Sequence, residues 1–512
     1  MALAFCILAV TVSAASAECD CASEIGGSPP FQITKVEHLK QLSACVDKNN
    51  DHTDITFELT TDIDLNNENW TPIGSWHFTG SSNNRPFSGT FDGNNKTISG
   101  LEINRVETTA ASLGLFGYVG PGGTVKDLNV VEGTVKGVSA DGNSSFGGVV
   151  GHNAGNVEGC SFSGSVEGGI NVGGVVGYNL GTARVTNCYN SGDVTGNNSG
   201  GGGSIGGVVG LNGGTVTKCY NTGPVTGVRA STGGVVGFNN SGTVSECYNT
   251  GDVKGPQYAS GVVGYSASGS SVVNCYNTGH VTSLKGVSDH ETLPARGGVV
   301  GYNVGTVQNS YSLCEVIGNF RVGGIVGNNT GTVQNCVSLT WMVDGNGPDV
   351  GGETSPNIDT NVGRVVGLGD VGLSGNKARS DMELSIRGVD EAGGLTEDEK
   401  TATTRHGEDV YTYFDKSEPP SNQKEDVFVD WNEDVWEFRD ESLTQNARLP
   451  ILVSLKGVGS YVQNPQLPAH PSPGQPGDDD GGCGCDAGGF TAPGLLALAF
   501  VMGMKRLRRP RG

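Results

Sequence analysis

Charge is what this 512-residue chain has least of: Asp, Glu, Lys and Arg make up 16 % of it, against about 25 % in an average globular protein. The scarcity is sharpest in the middle, where only 16 of the 203 residues from Val138 to Thr340 are charged. Basic residues are the rarer sign, 31 Lys and Arg against 53 Asp and Glu, for a formal net charge of -22. A nucleic-acid surface needs clustered Lys and Arg to meet phosphates, so nucleic acid is excluded as a partner. Helical periodicity is missing from the same stretch, which excludes a helical bundle. No Gly-X-Y triplet persists, which excludes collagen, and 85 glycines with 20 prolines amount to about a fifth of the chain, below the roughly 25–30 % of low-complexity disorder. The glycines therefore punctuate something folded.

The two ends carry address signals. Ala2–Val12 is almost wholly apolar and Ala15-Ser16-Ala17 is a small-x-small triplet, so an exported chain cleaved after Ala17 is expected, although no Lys or Arg follows Met1. At the other end Pro465 to Gly482, with Asp478-Asp479-Asp480, reads as an extended spacer. Beyond it stand Gly482-Cys483-Gly484-Cys485, the apolar run Phe490–Met504 and the basic residues Lys505, Arg506, Arg508, Arg509 and Arg511. Fifteen helical residues reach only ~22 Å, short of a ~30 Å hydrocarbon core, so a transient rather than permanent membrane span is expected. The motif around Cys483 and Cys485, the apolar run and the basic tail together resemble the C-terminal sorting signals of the Synergistes and myxobacterial types. That resemblance implies removal of the apolar part and retention at the cell surface; a simple single-pass anchor is the alternative.

Between the ends one unit repeats: Gly-Gly-Val-Val-Gly, an Asn two residues on, then Gly-Thr-Val-x-x-Cys-Tyr-Asn-Thr-Gly-x-Val-Thr-Gly. The last glycine of the opening block falls at Gly151, Gly177, Gly210, Gly237, Gly264, Gly301 and Gly327, at spacings of 26, 33, 27, 27, 37 and 26, with weaker copies at Gly117 and Gly367. The two long intervals hold Gly200–Gly203 and Ser288–Arg296, expected as loops. Short Val/Thr/Tyr runs bounded by Gly and Asn signal strands joined by turns that need positive φ. A unit this short suits one coil of a parallel β-helix whose coils stack at ~4.8 Å. The expected fold is all-β, a β-solenoid of about 9–11 coils forming a monomeric rod of ~50 Å.

Stacking gives each repeated residue a column. Asn153, Asn179, Asn212, Asn239, Asn303 and Asn329 share one position, with Ser266 the exception, and stacked amides bond from coil to coil. Cys160, Cys188, Cys219, Cys247, Cys275 and Cys336 share another, with Ser310 the exception. They lack CxxC spacing for zinc and sit near the lower limit of disulfide geometry, so buried unpaired thiols are expected. The next residues, Tyr189, Tyr220, Tyr248, Tyr276 and Tyr311, then point outward. They form either a binding stripe for a glycan or protein, or a ladder that stacks on itself. The recurring Gly-Gly-Val-Val-Gly-Tyr-Asn and Asn-Cys-Tyr-Asn-Thr-Gly resemble the GLUG repeat family of bacterial surface proteins, which also occurs beside the peptidase domains of some secreted IgA-cleaving proteases. Trp70-Thr71-Pro72-Ile73-Gly74 and Phe87–Gly93 are similar to the coils that precede such repeats. The resemblance spans about residues 31–370; it implies a β-solenoid at a surface and no reaction.

Open solenoid ends expose strand edges and need covers. Thr34-Lys35-Val36-Glu37 reads as a capping box, followed by Val36, Leu39, Leu42 and Val46 on one helical face, so residues 35–47 are the expected N-terminal capping helix. An irregular C-terminal cap is expected at Val435–Phe438 and Leu449–Leu452. The organisation is thus 1–17 signal peptide, 18–110 N-terminal cap and first coils, 111–370 repeats, 371–462 C-terminal cap with an insertion, 463–482 linker and 483–512 sorting signal. Cys45 is placed to bond Cys19 or Cys21.

Catalytic material is thin. His152, His280 and His290 recur with no carboxylate at a matching position. Gly202-Gly203-Ser204-Ile205-Gly206 imitates a nucleophile elbow without its helix, and Gly367–Gly372 a dinucleotide loop without its βαβ unit. Asp47, Asn49, Asp51 and Glu58 match a calcium loop whose turn glycine is His52. No enzyme, metal or cofactor is expected. The functional expectation is a surface-displayed adhesin or structural spacer, exported and anchored after C-terminal processing, that meets an extracellular glycan or protein; the alternative is a polysaccharide-acting enzyme or its accessory module.

Overall fold

In the computed structural model the described residues are Ile25, 27–48, 53–77, 83–107, 112–139, 144–197, 203–284, 294–345 and 362–379, apart from Arg229 and Cys314. Shorter pieces follow up to residue 466, among them 427–428, 431–439 and 449–456. The expected signal peptide with Ala17, Cys19 and Cys21, the linker, and the sorting signal with Cys483 and Cys485 lie outside the described residues. Among the described residues no helix is long and apolar enough to cross a membrane.

The chain winds into a parallel β-solenoid of about eight turns. One coil shows how the repeat is spent: five short strands, Gly203–Gly206, Val209–Asn212, Thr215–Thr217, Tyr220–Asn221 and Val225–Thr226, close one circuit. Val and Thr prefer such extended backbone because their branched Cβ packs well on a pleated surface. Each strand pairs in parallel with its equivalent one coil away, as in Val176↔Val209↔Val236 and Tyr189↔Tyr220↔Tyr248. The first and second strand positions build columns of nine strands each, matching the nine blocks from Gly117 to Gly367. Earlier coils extend the stack through Phe31↔Phe57 and Phe57↔Phe91. Ile205, Val208, Val209, Val216, Cys219 and Val225 fill the interior of this coil, and each such burial contributes about 1.5–3 kcal/mol.

The long intervals keep register, Val176↔Val209 and Val263↔Val300, so their extra residues leave the coil and return. Their boundaries differ from expectation. Gly203 begins a strand and Ser204 pairs with Asn171 inside it, which removes the nucleophile-elbow geometry. Arg296 belongs to the strand Ala295–Gly297, and its side chain is buried in the interior, where Nη2 donates to the carbonyls of Gly255 (3.3 Å) and Pro256 (3.1 Å). Carbonyls at the end of the previous coil accept from Nη2 of a cation that the long repeat interval assigned to a loop. Gly367–Gly372 likewise runs from the strand Val366–Leu368 into a turn.

Positive φ occurs at Gly and Asn turns as expected, whereas the block glycines are required for closeness rather than for turn conformation. The block glycines have ordinary φ, whereas the left-handed position before the cysteine column is held by Gly159, Asn187, Lys218, Glu246, Asn274, Asn309 (before Ser310) and Asn335, at φ between 49° and 61°. At Gly234 an added Cβ would lie 2.1 Å from the Gly261 carbonyl oxygen and 2.3 Å from Asn249 Cγ. The second block glycine thus leaves room for an amide reaching across the interior.

The N-terminal helix, Val36–Asp47, buries Leu39, Leu42, Cys45 and Val46 against the core of the first coils, as the lid reading requires. Its capping box does not form: Lys35 is the N-cap and no side chain caps it, while the Thr34 N–H donates to Nδ1 of His38 (3.3 Å). Cys45 is disulfide-bonded.

Candidate binding face

The five tyrosines expected to point outward do leave the solenoid interior, and they stack face to face. Ring centroids from Tyr189 through Tyr220, Tyr248 and Tyr276 to Tyr311 are 4.9, 4.8, 4.8 and 5.0 Å apart, with planes within 4° of parallel. They are not an open stripe. Tyr220, Tyr248, Tyr276 and Tyr311 are at most 1 % exposed, and Tyr189 alone is half-buried. They share a second hydrophobic core with Phe428, Trp431, Trp436, Leu449, Leu452 and Leu455. The expected C-terminal cap therefore packs along the flank of the solenoid as a strap. Tyr311 OH donates to the Pro450 carbonyl (2.9 Å), Tyr276 OH to Gln463 Oε1 (3.0 Å), and Trp431 Nε1 to the Asn335 carbonyl (3.0 Å). Access to the stripe is closed, which corrects its reading as a binding surface in this conformation.

A different aromatic column is accessible. The second strand of successive coils carries, directly after its glycine, Tyr118, His152, Tyr178, Leu211, Phe238, Tyr265 and Tyr302 in one register, with Leu211 the one member that has no ring. From Tyr178 to Tyr302 these residues are half-buried. Their rings meet edge to face: Phe238 and Tyr265 at 4.9 Å and 88°, Tyr265 and Tyr302 at 5.0 Å and 80°. Tyr258, on the neighbouring first strand, joins them at 5.6 Å from Tyr265 and 5.4 Å from Tyr302. Burial raises the phenol pKa values of Tyr178, Tyr258 and Tyr265, so all three stay neutral donors near neutral pH. The signal for this column was in the sequence, a ring-bearing residue recurring before the ladder asparagine, but the Cys-Tyr pair is the louder repeat.

At the N-terminal end of the column Trp76 stacks on His152 at 4.3 Å and 12°, and Tyr118 and Tyr178 flank the imidazole edge-on. His152 is buried with no hydrogen-bond partner on either ring nitrogen, and this burial lowers its pKa from 6.5 to about 4. The unfolded chain therefore binds a proton between those values that the folded chain refuses. This contribution leaves stability intact above pH 6.5 and removes about 3 kcal/mol as pH falls from there through about 4. His152→Phe is expected to flatten that slope, read as the parent–variant difference in urea unfolding free energy at pH 7 and at about pH 4.5.

The remaining expected columns are interior. Cys160, Cys188, Cys219, Cys247, Cys275 and Cys336 are free and buried. Each thiol donates to the carbonyl two residues before it at 3.1–3.3 Å. Burial raises the thiol pKa of Cys160, Cys219 and Cys275, and pushes that of Cys336 up to about 12. At the exception, Ser310 Oγ donates to Gln308 in the same way (2.9 Å). The asparagine column is a hydrogen-bonded ladder, Asn153 to Asn179 to Asn212 to Asn239 and Asn303 to Asn329, each step 2.8 Å, broken at Ser266. A second ladder was not foreseen: Asn190 to Asn221 to Asn249 to Asn277, at 2.8, 2.8 and 2.9 Å. These are the amides that the second block glycine accommodates.

Two sites of weaker promise resolve into structure. Of the calcium-loop residues, Asn49 and Asp51 lie outside the described residues, while Glu58 sits on a strand where its carboxylate accepts from Gln32 (3.1 Å) and Asn94 (3.3 Å). His280, expected to lack a carboxylate, lies between Asp252 and Glu315. Its N–H donates to Asp252 Oδ1 (3.3 Å) and its Nδ1 is 3.9 Å from Glu315. One carboxylate thus bonds backbone, which leaves it a structural role. His290 lies outside the described residues.

Comparison with known proteins agrees with this repeat geometry. The family model for the GLUG motif matches residues 142–167 and 168–195, two successive coils. Over 134 residues, 25 % of the chain, the sequence is 32 % identical to halomucin from Haloquadratum walsbyi, of whose length the chain spans about 1 %. A crystal structure described as that of a candidate immunoglobulin A1 protease from Bacteroides ovatus aligns with 84 % of this chain and 94 % of its own, at 16 % identity and a TM-score of 0.33. A structure described as an IgA1 protease aligns with 68 % of this chain and 21 % of its own, at 13 % identity and a TM-score of 0.29. At those scores neither structure bears on activity, and what the comparisons establish is that this chain carries GLUG motif repeats.

Proposed function

We propose that the protein is a surface-displayed, non-enzymatic β-solenoid, an adhesin or structural spacer that presents one regular face to an extracellular protein or glycan. The observation that carries this reading is the half-exposed aromatic column from Tyr178 to Tyr302, held on strands whose spacing the coil stack sets. Aromatic rings on a rigid scaffold bury large area at little entropic cost, which suits recognition. GLUG repeats and the halomucin-like stretch support a location outside the cytoplasm. Cleavage after Ala17 and processing near Cys483 and Cys485 would deliver the chain there and hold it. Surface proteolysis of intact cells, together with a screen of the purified protein against glycans and matrix proteins, tests the reading. Degradation by external protease and a saturable partner are the expected results. Recovery of the intact protein in the cytosol, or hydrolase or lyase activity on a polysaccharide panel, would overturn it.

A further inference from the structure

We infer that the second-strand column between Tyr178 and Tyr302 is a platform for a neutral polysaccharide chain lying along the solenoid axis; this rests on the surface-binding reading above and specifies its ligand. Three observations converge on that ligand. The first is the availability of ring faces. In the tyrosine ladder under the strap, coplanar neighbours cover one another's faces, whereas the 88° and 80° steps at Phe238, Tyr265 and Tyr302 turn successive rings on edge and leave all three half-buried, with part of each ring open to solvent. Such open ring surface suits the C–H side of a pyranose ring. Centroid steps of 4.9 and 5.0 Å are of the order of one sugar residue in an extended chain.

The second is a row of polar groups beside the rings. Tyr258 packs against Tyr265 and Tyr302, and its register partners in the preceding coils are Ser231, Ser204 and Asn171. Ser204 is buried, but Asn171, Ser231 and Tyr258 are half-buried beside the aromatic column, where their amide and hydroxyl groups can meet sugar hydroxyls. The third is charge. The column from Tyr178 through Leu211, Phe238 and Tyr265 to Tyr302 holds no Asp, Glu, Lys, Arg or His, and the whole chain carries -22. A polyuronate or sulfated chain meets net repulsion that Arg321, beside Tyr258, offsets at one end only, and a neutral chain meets none.

The test uses the purified full-length protein with insoluble cellulose, chitin and β-1,3-glucan, with a soluble polyuronate, and with an array of matrix proteins. Retention by at least one neutral polysaccharide, unaffected by added salt, is expected. Tyr265→Ala with Tyr302→Ala weakens retention roughly tenfold or more, while Tyr265→Phe with Tyr302→Phe preserves it. Tyr178→Ser, at the far end of the column, gives an independent loss should the double alanine variant fail to fold by circular dichroism. Neutral-glycan binding undiminished in folded Tyr178→Ser overturns the platform. Binding only to the polyuronate or to a protein overturns the ligand class and leaves the surface-binding reading standing. Absence of any partner overturns both.

Discussion

Gly234→Ala is expected to abolish soluble, folded protein or to lower its unfolding free energy by more than about 3 kcal/mol. Over-packing of a core ordinarily costs about 1–3 kcal/mol because side chains and backbone yield. Here the new methyl would meet two things that cannot yield locally. One is the Gly261 carbonyl oxygen at 2.1 Å, backbone of the next coil, and the other is Asn249 Cγ at 2.3 Å. Asn249 is pinned on both sides, since its Nδ2 donates to Asn277 (2.9 Å) and its Oδ1 accepts from Asn221 (2.8 Å). Relief requires moving coils apart, which breaks parallel pairing along the whole stack. Gly181→Ala is the control, because its Cβ would find nothing closer than the Gly213 carbonyl oxygen at 3.8 Å. Soluble yield, far-UV circular dichroism and urea midpoints of the two variants decide the matter. Equal midpoints would show that the second block glycine is not sterically required.

Trp436→Ala is expected to cost about 3–5 kcal/mol, the usual range for deleting a buried tryptophan, and to spend that loss on the flank. The Trp436 ring lies 5.9 Å from Tyr311, 6.2 Å from Tyr276 and 4.7 Å from Trp431, and its backbone pairs with Leu452 in the two-stranded part of the strap. None of its partners belongs to the solenoid interior, which forms a separate core. Releasing the strap therefore exposes the outer tyrosine ladder while the coils, each paired with its neighbours, remain wound. Hydrogen exchange should quicken at residues 431–439 and 449–456 and leave Val209, Val236 and Val263 protected. Limited proteolysis should first cut the strap. Simultaneous loss of protection in strap and coils would show instead that the two cores unfold as one.

These outcomes divide along the line between periodic and unique contacts. Nine blocks from Gly117 to Gly367 were countable in the sequence, and each supplies one strand to both nine-strand columns. The inward thiols and the first asparagine ladder were legible for the same reason. In a parallel stack a residue meets its own equivalent one coil away, so recurrence at one position is itself a statement of contact. Tyr189, Tyr220, Tyr248, Tyr276 and Tyr311 were assigned to the outside, and to each other, on that basis. The accessible column was equally periodic at Tyr178, Phe238, Tyr265 and Tyr302, but position in a repeat does not by itself say which outward face stays open.

The sequence by itself determined the winding: the strand direction, the interior columns and the scarcity of charge on the repeats, though about 9–11 coils were expected and about eight turns are found. Tertiary structure alone decided what covers the winding. Trp431, Trp436 and Leu452 belong to no repeat, so nothing in their spacing says that they seal a tyrosine ladder more than a hundred residues upstream. Arg296 was unreadable for a similar reason, since the carbonyls of Gly255 and Pro256 that accept from its Nη2 come from an irregular corner. Contacts repeated by translation leave a period in the chain, whereas a contact made once between distant segments depends on shape complementarity that only the folded molecule possesses. That difference moved the candidate binding face from the cysteine-linked tyrosines to the column beside the block glycines.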